Sequence, residues 1–461
     1  MNTLFNVKYN ANLLLGIALL IFLLFPGLKW YSYIALIITL HQFFLLFYSL
    51  GHMIPIRYLF GSLMCLQLFL GPVLAYNGMD QFQTGNSKMQ IPESEYFLYV
   101  LPAVVAFIAG LHSWSKNLKG EILDLASIKA FTGSNNEIAY FLIGVGFFSG
   151  LVTDIFSSDL AFVFYLLDSF KFIGLFLLIV GSDSLKIIPM SIVLGSIIIS
   201  SLNQGMFHDL LIWIIFLFAI LAIRYQPKIY IKLIFMVAFA ILAVTIQLVK
   251  GDYREATWGR GEETELNTLT KAYAQTRAEN KFFNYSSIAQ SNLRINQGYI
   301  ITHIMKTVPK KVPYANGTEL NDIVISALLP RFLMPDKLTA GNRDIFMKYT
   351  KFQLKKSVSM GLSSVGDAYI NFGVIGGCVF MFLLGLFYSE VLKGFNRYSK
   401  SFPILLLFTP MVFYYAVRPD SELQTNLGHL VKSCFLIFLI FQFWKSKLKI
   451  QIFSNWRRSL S

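Results

Sequence analysis

Residues 229–249 read IYIKLIFMVAFAILAVTIQLV, and the chain continues at 250–265 as KGDYREATWGRGEETE. The first stretch is almost wholly apolar. As a helix rising about 1.5 Å per residue it is long enough to cross the ~30 Å hydrocarbon core of a bilayer. The second stretch is charged and follows without a break, so the chain passes from an apolar phase into an aqueous one at residue 250. Outward from this junction similar runs recur, at 11–26, 31–50, 57–76, 96–113, 138–156, 159–180, 187–204, 208–224, 367–392, 402–417 and 428–444. With 229–249 that makes about twelve spans. The first has no small-residue cleavage site after it and reads as a signal anchor.

Composition agrees. The 461 residues are 55% hydrophobic and 14% charged, against about 25% charged in average soluble domains. This deficit of charge rules out disorder and argues against an ordinary soluble enzyme. Cys65, Cys378 and Cys434 all lie in apolar runs, with no disulfide framework and no metal-ligand spacing.

The net charge of +14 would suggest nucleic acid in a soluble protein, but here its distribution matters more. With both termini inside, the inner loops and tail hold sixteen Lys and Arg and the short outer loops only Lys29, Lys88 and Arg418. That asymmetry is the positive-inside pattern, and no nucleic-acid partner is needed to explain it. The organisation is therefore spans over 1–249, an outer loop over 250–366, further spans over 367–444 and a basic inner tail over 445–461.

The outer loop carries seventeen Lys and Arg against ten Asp and Glu, a net of +7. Long loops are exempt from the topology rule, so this charge needs another reason. Two pieces have helical apolar spacing, 286–308 ending before Pro309, and Glu319 to Leu329 ending before Pro330. The second is expected along the outer membrane surface.

HExxH, G-x-S-x-G and Walker A signatures are absent, and GLSSVG (361–366) has the wrong spacing for a serine nucleophile. None of the six histidines pairs with another at metal spacing. The informative residues are Arg294 in SNLRINQGYI (291–300), then Arg331, Asp336, Lys337 and Arg343 in LLPRFLMPDKLTAGNRDIF (328–346). Pro330 and Pro335 bracket Arg331 and restrict its backbone. Restrained cations beside a membrane suit phosphate, which Arg grips bidentately. General attraction to anionic headgroups is the alternative.

Asp367 opens the tenth span, a depth at which a carboxylate is costly and points to function. It also suits an N-cap of its own helix. Gly373 and Gly377 read as close helix packing, and Asp168 with Lys171 as a buried ion pair in preference to a relay. Arg418, Asp420 and Glu422 crowd a short outer loop placed to face the large one.

The stretches VPYANGTELNDIVISALLPRFLMPDKL (312–338) and GLSSVGDAYINFGVIGGCVFMFLLGLF (361–387) resemble the Wzy-type polymerases of O-antigen and capsular repeat units. The shared features are a Pro-Tyr then Gly-Thr stretch, a Pro-Arg followed by Pro-x-Lys, and an acidic residue before Asn-Phe-Gly-x-x-Gly. The likeness covers roughly 290–390, and departs from the family at Leu338, often Pro, and at Asp367, often Glu. It implies an all-α, GT-C-like fold in the bacterial inner membrane and inverting glycosyl transfer on the outer face. It also implies undecaprenyl-pyrophosphate-linked donor and acceptor, contact with membrane lipids, a chain-length regulator as partner, and no cofactor or metal. The resemblance carries over Arg294, Arg331, Lys337 and Asp367 by position; with them we expect Asp367, Arg331 and Arg294 to be catalytic and Lys337, Arg343, Arg418, Tyr369 and His303 to bind substrate.

An O-antigen ligase would share the topology and commonly relies on a loop histidine, for which His303 is the candidate. A flippase would line many spans with polar residues. The topology itself is testable with single cysteines. Thr270→Cys should react with an impermeant maleimide in intact spheroplasts and Ser459→Cys only after lysis, and the reverse pattern overturns the orientation.

Overall fold

The computed structural model describes residues 7–113, 121–133, 136–155, 158–205, 207–259, 265–282, 284–293, 295–329, 334, 337–338, 341–354 and 358–447. Among these the regular structure is entirely helical. Among the described residues nine helices are long and apolar enough to cross a membrane: Trp30–Ser49, Ile56–Tyr76, Glu93–His112, Ala161–Gly181, Ile187–Gln204, His208–Tyr225, Ile229–Gly251, Ser363–Ser399 and Leu423–Phe443. The other three expected spans correspond to shorter apolar helices, Asn12–Leu24, Glu137–Val152 and Pro403–Val412. The last is short because Pro403 and Pro410 interrupt it, giving a 3-10 turn over Pro403–Phe408 and one α turn over Thr409–Val412.

Two interruptions inside spanning helices position the outer loop. In Ile56–Tyr76 a π turn covers Leu66–Leu70 just before Pro72. Pro72 has no N–H to offer Leu68 four residues back. The Tyr96 hydroxyl donates to the Leu68 carbonyl instead, at 2.8 Å. The Gln297 N–H donates to the Gln67 carbonyl and the Asn292 amide to the Gly71 carbonyl, each at 3.0 Å. This contact explains why the continuous helix expected over 286–308 is two helices, Tyr285–Asn292 and Gly298–Thr307. Gly71 accommodates it because a Cβ there would lie 2.8 Å from the Asn296 Cα.

The second interruption is Gly373, at φ 65° and ψ −155°, inside Ser363–Ser399. Only glycine adopts this backbone readily. The freed Ile370 carbonyl accepts the Ala315 N–H at 2.9 Å, and the Asn371 side-chain oxygen accepts the Leu320 N–H at 3.3 Å. The Tyr314 ring packs on Gly373, 3.1 Å from where a Cβ would sit. The expected helix at Glu319 runs over Thr318–Leu328, and this bond seats its first turn on the break.

The part of Ser363–Ser399 beyond the break lies against Glu93–His112. Gly110 and Gly385 face each other's helix backbone, the Phe382 carbonyl and the Phe107 carbonyl respectively. Gly377 lies under the Tyr99 ring, so the glycines serve close packing. At the opposite end Arg57 and Glu121, both buried, form a 2.6 Å ion pair, and Arg57 also donates to Ser389 Oγ at 2.8 Å. Lys171 and Asp168 pair at 2.6 Å.

The glycine contact predicts a clear contrast. Gly385→Leu meets backbone, which cannot rotate away, and should cost about 1–3 kcal/mol or more, read as a lower melting temperature in detergent. Gly394→Ala, with open space around it, should be neutral.

Candidate active site

The helix Leu423–Lys447 begins with backbone N–H groups that have no partner within it. One of them, Leu423 N–H, donates to Asp367 Oδ2 at 2.9 Å, from a residue fifty-six positions earlier. Asp367 is therefore a cap, but of a different helix from the one expected; its own helix already starts at Ser363. Only 5% of Asp367 is exposed, and what it faces is a small cavity.

Five stretches line this cavity: Glu319 and Ile323; Leu338 and Asn342; Ile345 and Tyr349; Leu362, Asp367, Ile370 and Asn371; Glu422 and Gln424. Glu319 Oε1 accepts from Lys348 Nζ and from the Tyr349 hydroxyl, both at 2.7 Å. Glu422 Oε1 accepts the Gly341 N–H at 2.5 Å and the Thr425 hydroxyl at 3.1 Å. Burial holds the Glu422 carboxyl above its ordinary range, and those two donors partly offset the rise. The short 418–422 loop thus meets the large outer loop, as the charge crowding there suggested.

Lys337 sits at the end of Thr318–Leu328, donating to the Ser326 carbonyl at 3.0 Å and the Leu329 carbonyl at 2.7 Å. A cation at a helix C-terminus is favourable, and here it anchors the segment that supplies Leu338. Leu338 is held further by its N–H on Ser326 Oγ at 3.2 Å and its carbonyl on the Gln424 amide at 2.7 Å. Arg343 is half-buried at the first turn of Arg343–Thr350, with Nη1 3.5 Å from the Leu354 carbonyl. Tyr369 is buried between the Tyr99 and Tyr314 rings, with centroids 4.8 and 6.0 Å away.

None of the five expected binding residues lines the cavity: Lys337, Arg343 and Tyr369 are chain neighbours of residues that do, and His303 and Arg418 lie apart from it. His303 contacts the Asn86 carbonyl at 2.8 Å, and burial holds its imidazole below the ordinary value. Arg418 faces Asp420 at 3.4 Å and Asp209 at 3.8 Å and stacks 5.2 Å from the Tyr415 ring. Burial is the largest single influence and opposes the Asp420 charge, but Arg418, His208 and hydrogen bonds together hold that carboxyl below its usual range. Arg294 and Arg331 lie outside the described residues.

The lining is acidic where the loop's net charge led us to expect cations. Among the described lining residues there are three carboxylates and no Lys or Arg. Glu319, Tyr349, Asn371 and Gln424 were not singled out from sequence. Of these, Glu319 and Asn371 fall inside the stretches that carry the family resemblance. Chemically the arrangement can hold hydroxyl or ammonium donors and take a proton from one of them at Asp367.

The family described as "Domain of unknown function (DUF8712)" matches residues 53–398, and the chain belongs to it. No curated protein and no solved structure matches the chain.

The cap can be separated from the charge. Asp367→Asn keeps an oxygen for Leu423 N–H and should melt within a degree or two of wild type. Asp367→Ala orphans that N–H and should lose about 1–2 kcal/mol, seen as a lower melting temperature in the same detergent.

Proposed function

We propose that this member of the DUF8712 family is a polymerase of polyprenyl-pyrophosphate-linked oligosaccharide repeat units, acting at the outer face of the inner membrane. The observation that carries this reading is the convergence of its resemblance-bearing stretches. Glu319 from 312–338 and Asp367 from 361–387 line one cavity, and Lys337 anchors its wall.

In this reading a sugar hydroxyl of the lipid-linked acceptor enters the cavity beside Asp367. Its oxygen attacks the anomeric carbon of the growing glycan, the bond from that carbon to the pyrophosphate oxygen breaks, and the configuration inverts. The hydroxyl proton passes to the carboxylate of Asp367, a general base worth roughly 10²–10⁴ in rate. The departing lipid pyrophosphate gains negative charge, which cations held in place stabilise. Arg294 and Arg331 are assigned to that charge, with Arg343 or Arg418 assisting. Lys337 serves from its place at the helix end.

The reading is tested by a polymer ladder from membranes expressing each variant at matched levels. Asp367→Asn should cut polymer formation at least about a hundredfold while keeping its melting temperature. Arg331→Ala should also lose the ladder. His303→Ala should retain it, since its partner is a loop carbonyl away from the cavity. Wild-type chain lengths from Asp367→Asn and Arg331→Ala together overturn the assignment.

A further inference from the structure

We infer that the Asp367 cavity selects an acceptor sugar that donates hydrogen bonds and carries no negative charge, a neutral or amino sugar as opposed to a uronic acid. This rests on the polymerase reading and names the substrate class of the same site.

The inference follows from which polar atoms are already engaged. Asn371 is partly engaged: its oxygen accepts the Leu320 N–H and one of its two amide N–H groups donates to the Asp367 carbonyl. The Tyr349 hydroxyl is given to Glu319, and the Gln424 amide to Leu338. Glu319 and Glu422 each use one carboxylate oxygen for two donors, and Asp367 uses Oδ2 for Leu423. Left without partners among the described residues are Glu319 Oε2, Asp367 Oδ1, Glu422 Oε2 and Gln424 Oε1. All four are acceptors, and Asp367 is itself more than nine-tenths buried. Against these, the spare N–H groups of the described lining side chains are uncharged amide ones, on Asn342, whose oxygen caps Arg343–Thr350, and on Asn371 and Gln424, each with one amide N–H already donated.

A ligand that fits must supply donors, as hydroxyl or ammonium groups do. A carboxylate has none to give at neutral pH, and like charges at close range repel it. Lys348 does not reverse the sign, since it is paired with Glu319 and half exposed to solvent. The remaining walls, Ile323, Ile345, Leu362 and Ile370, are apolar and leave room beside Asp367 for one hydroxyl or ammonium group of the sugar.

The test uses the full chain in lipid nanodiscs and three synthetic polyprenyl pyrophosphates carrying glucose, glucosamine or glucuronate. The glucosamine and glucose lipids should bind comparably, with the amine favoured. The glucuronate lipid should bind at least about tenfold more weakly. Glu422→Gln and, independently, Glu319→Gln should each narrow that gap several-fold. Glucuronate binding within about twofold of glucose, or a gap unchanged in both variants, overturns the inference. Polymer formed equally well from neutral and uronate acceptors overturns selectivity alone. A preserved binding gap with no polymer from any repeat unit overturns the polymerase reading alone.

Discussion

Within a bilayer a backbone carbonyl released from its helix has no water to turn to, so every break in a spanning helix must be met by protein. Gly373 and Pro72 create such breaks, and the outer loop meets both. Ala315 takes the Ile370 carbonyl, while Gln297 and Asn292 take those of Gln67 and Gly71. The loop is thereby docked on the spans at two points, not tethered only at its ends. The position of Thr318–Leu328, and with it Glu319, follows from the first of these contacts.

A third contact of the same kind closes the site. Leu423 begins the last long helix with an N–H that needs an acceptor, and Asp367 supplies it from the helix alongside. The carboxylate is costly at that depth, but one oxygen answers a helix terminus and the other is left facing the cavity. Glu422, one residue earlier in the chain, is then turned toward Gly341 and accepts its N–H beside the same space. Capping, loop closure and cavity formation depend on each other here, so a change at Asp367 acts on stability and chemistry together unless the capping oxygen is kept.

Most of the spanning helices were legible because hydrophobic length is a one-dimensional property. The failures were local. Pro403 and Pro410 shortened one span, and the Asn292 to Gln297 turn divided a helix whose apolar spacing looked continuous. Asp367 stood out as an intramembrane carboxylate, yet its cap partner could not be read from spacing. The expected cationic character of the outer site came from summing charge over a long loop. Net charge does not say which side chains turn inward, and Lys337 turned to a helix end while Glu319 and Glu422 turned to the cavity.

By itself the sequence determined that this is a polytopic helical membrane protein with a large basic loop between its spans, because hydropathy and glycine and proline positions act locally along the chain. Only the tertiary structure decided that Asp367 caps a helix begun by Leu423, that Glu319 and Glu422 share its cavity, and that Arg418 and His303 stand elsewhere. Those outcomes depend on which backbone groups are left without partners when distant helices pack, a quantity that does not exist until they do.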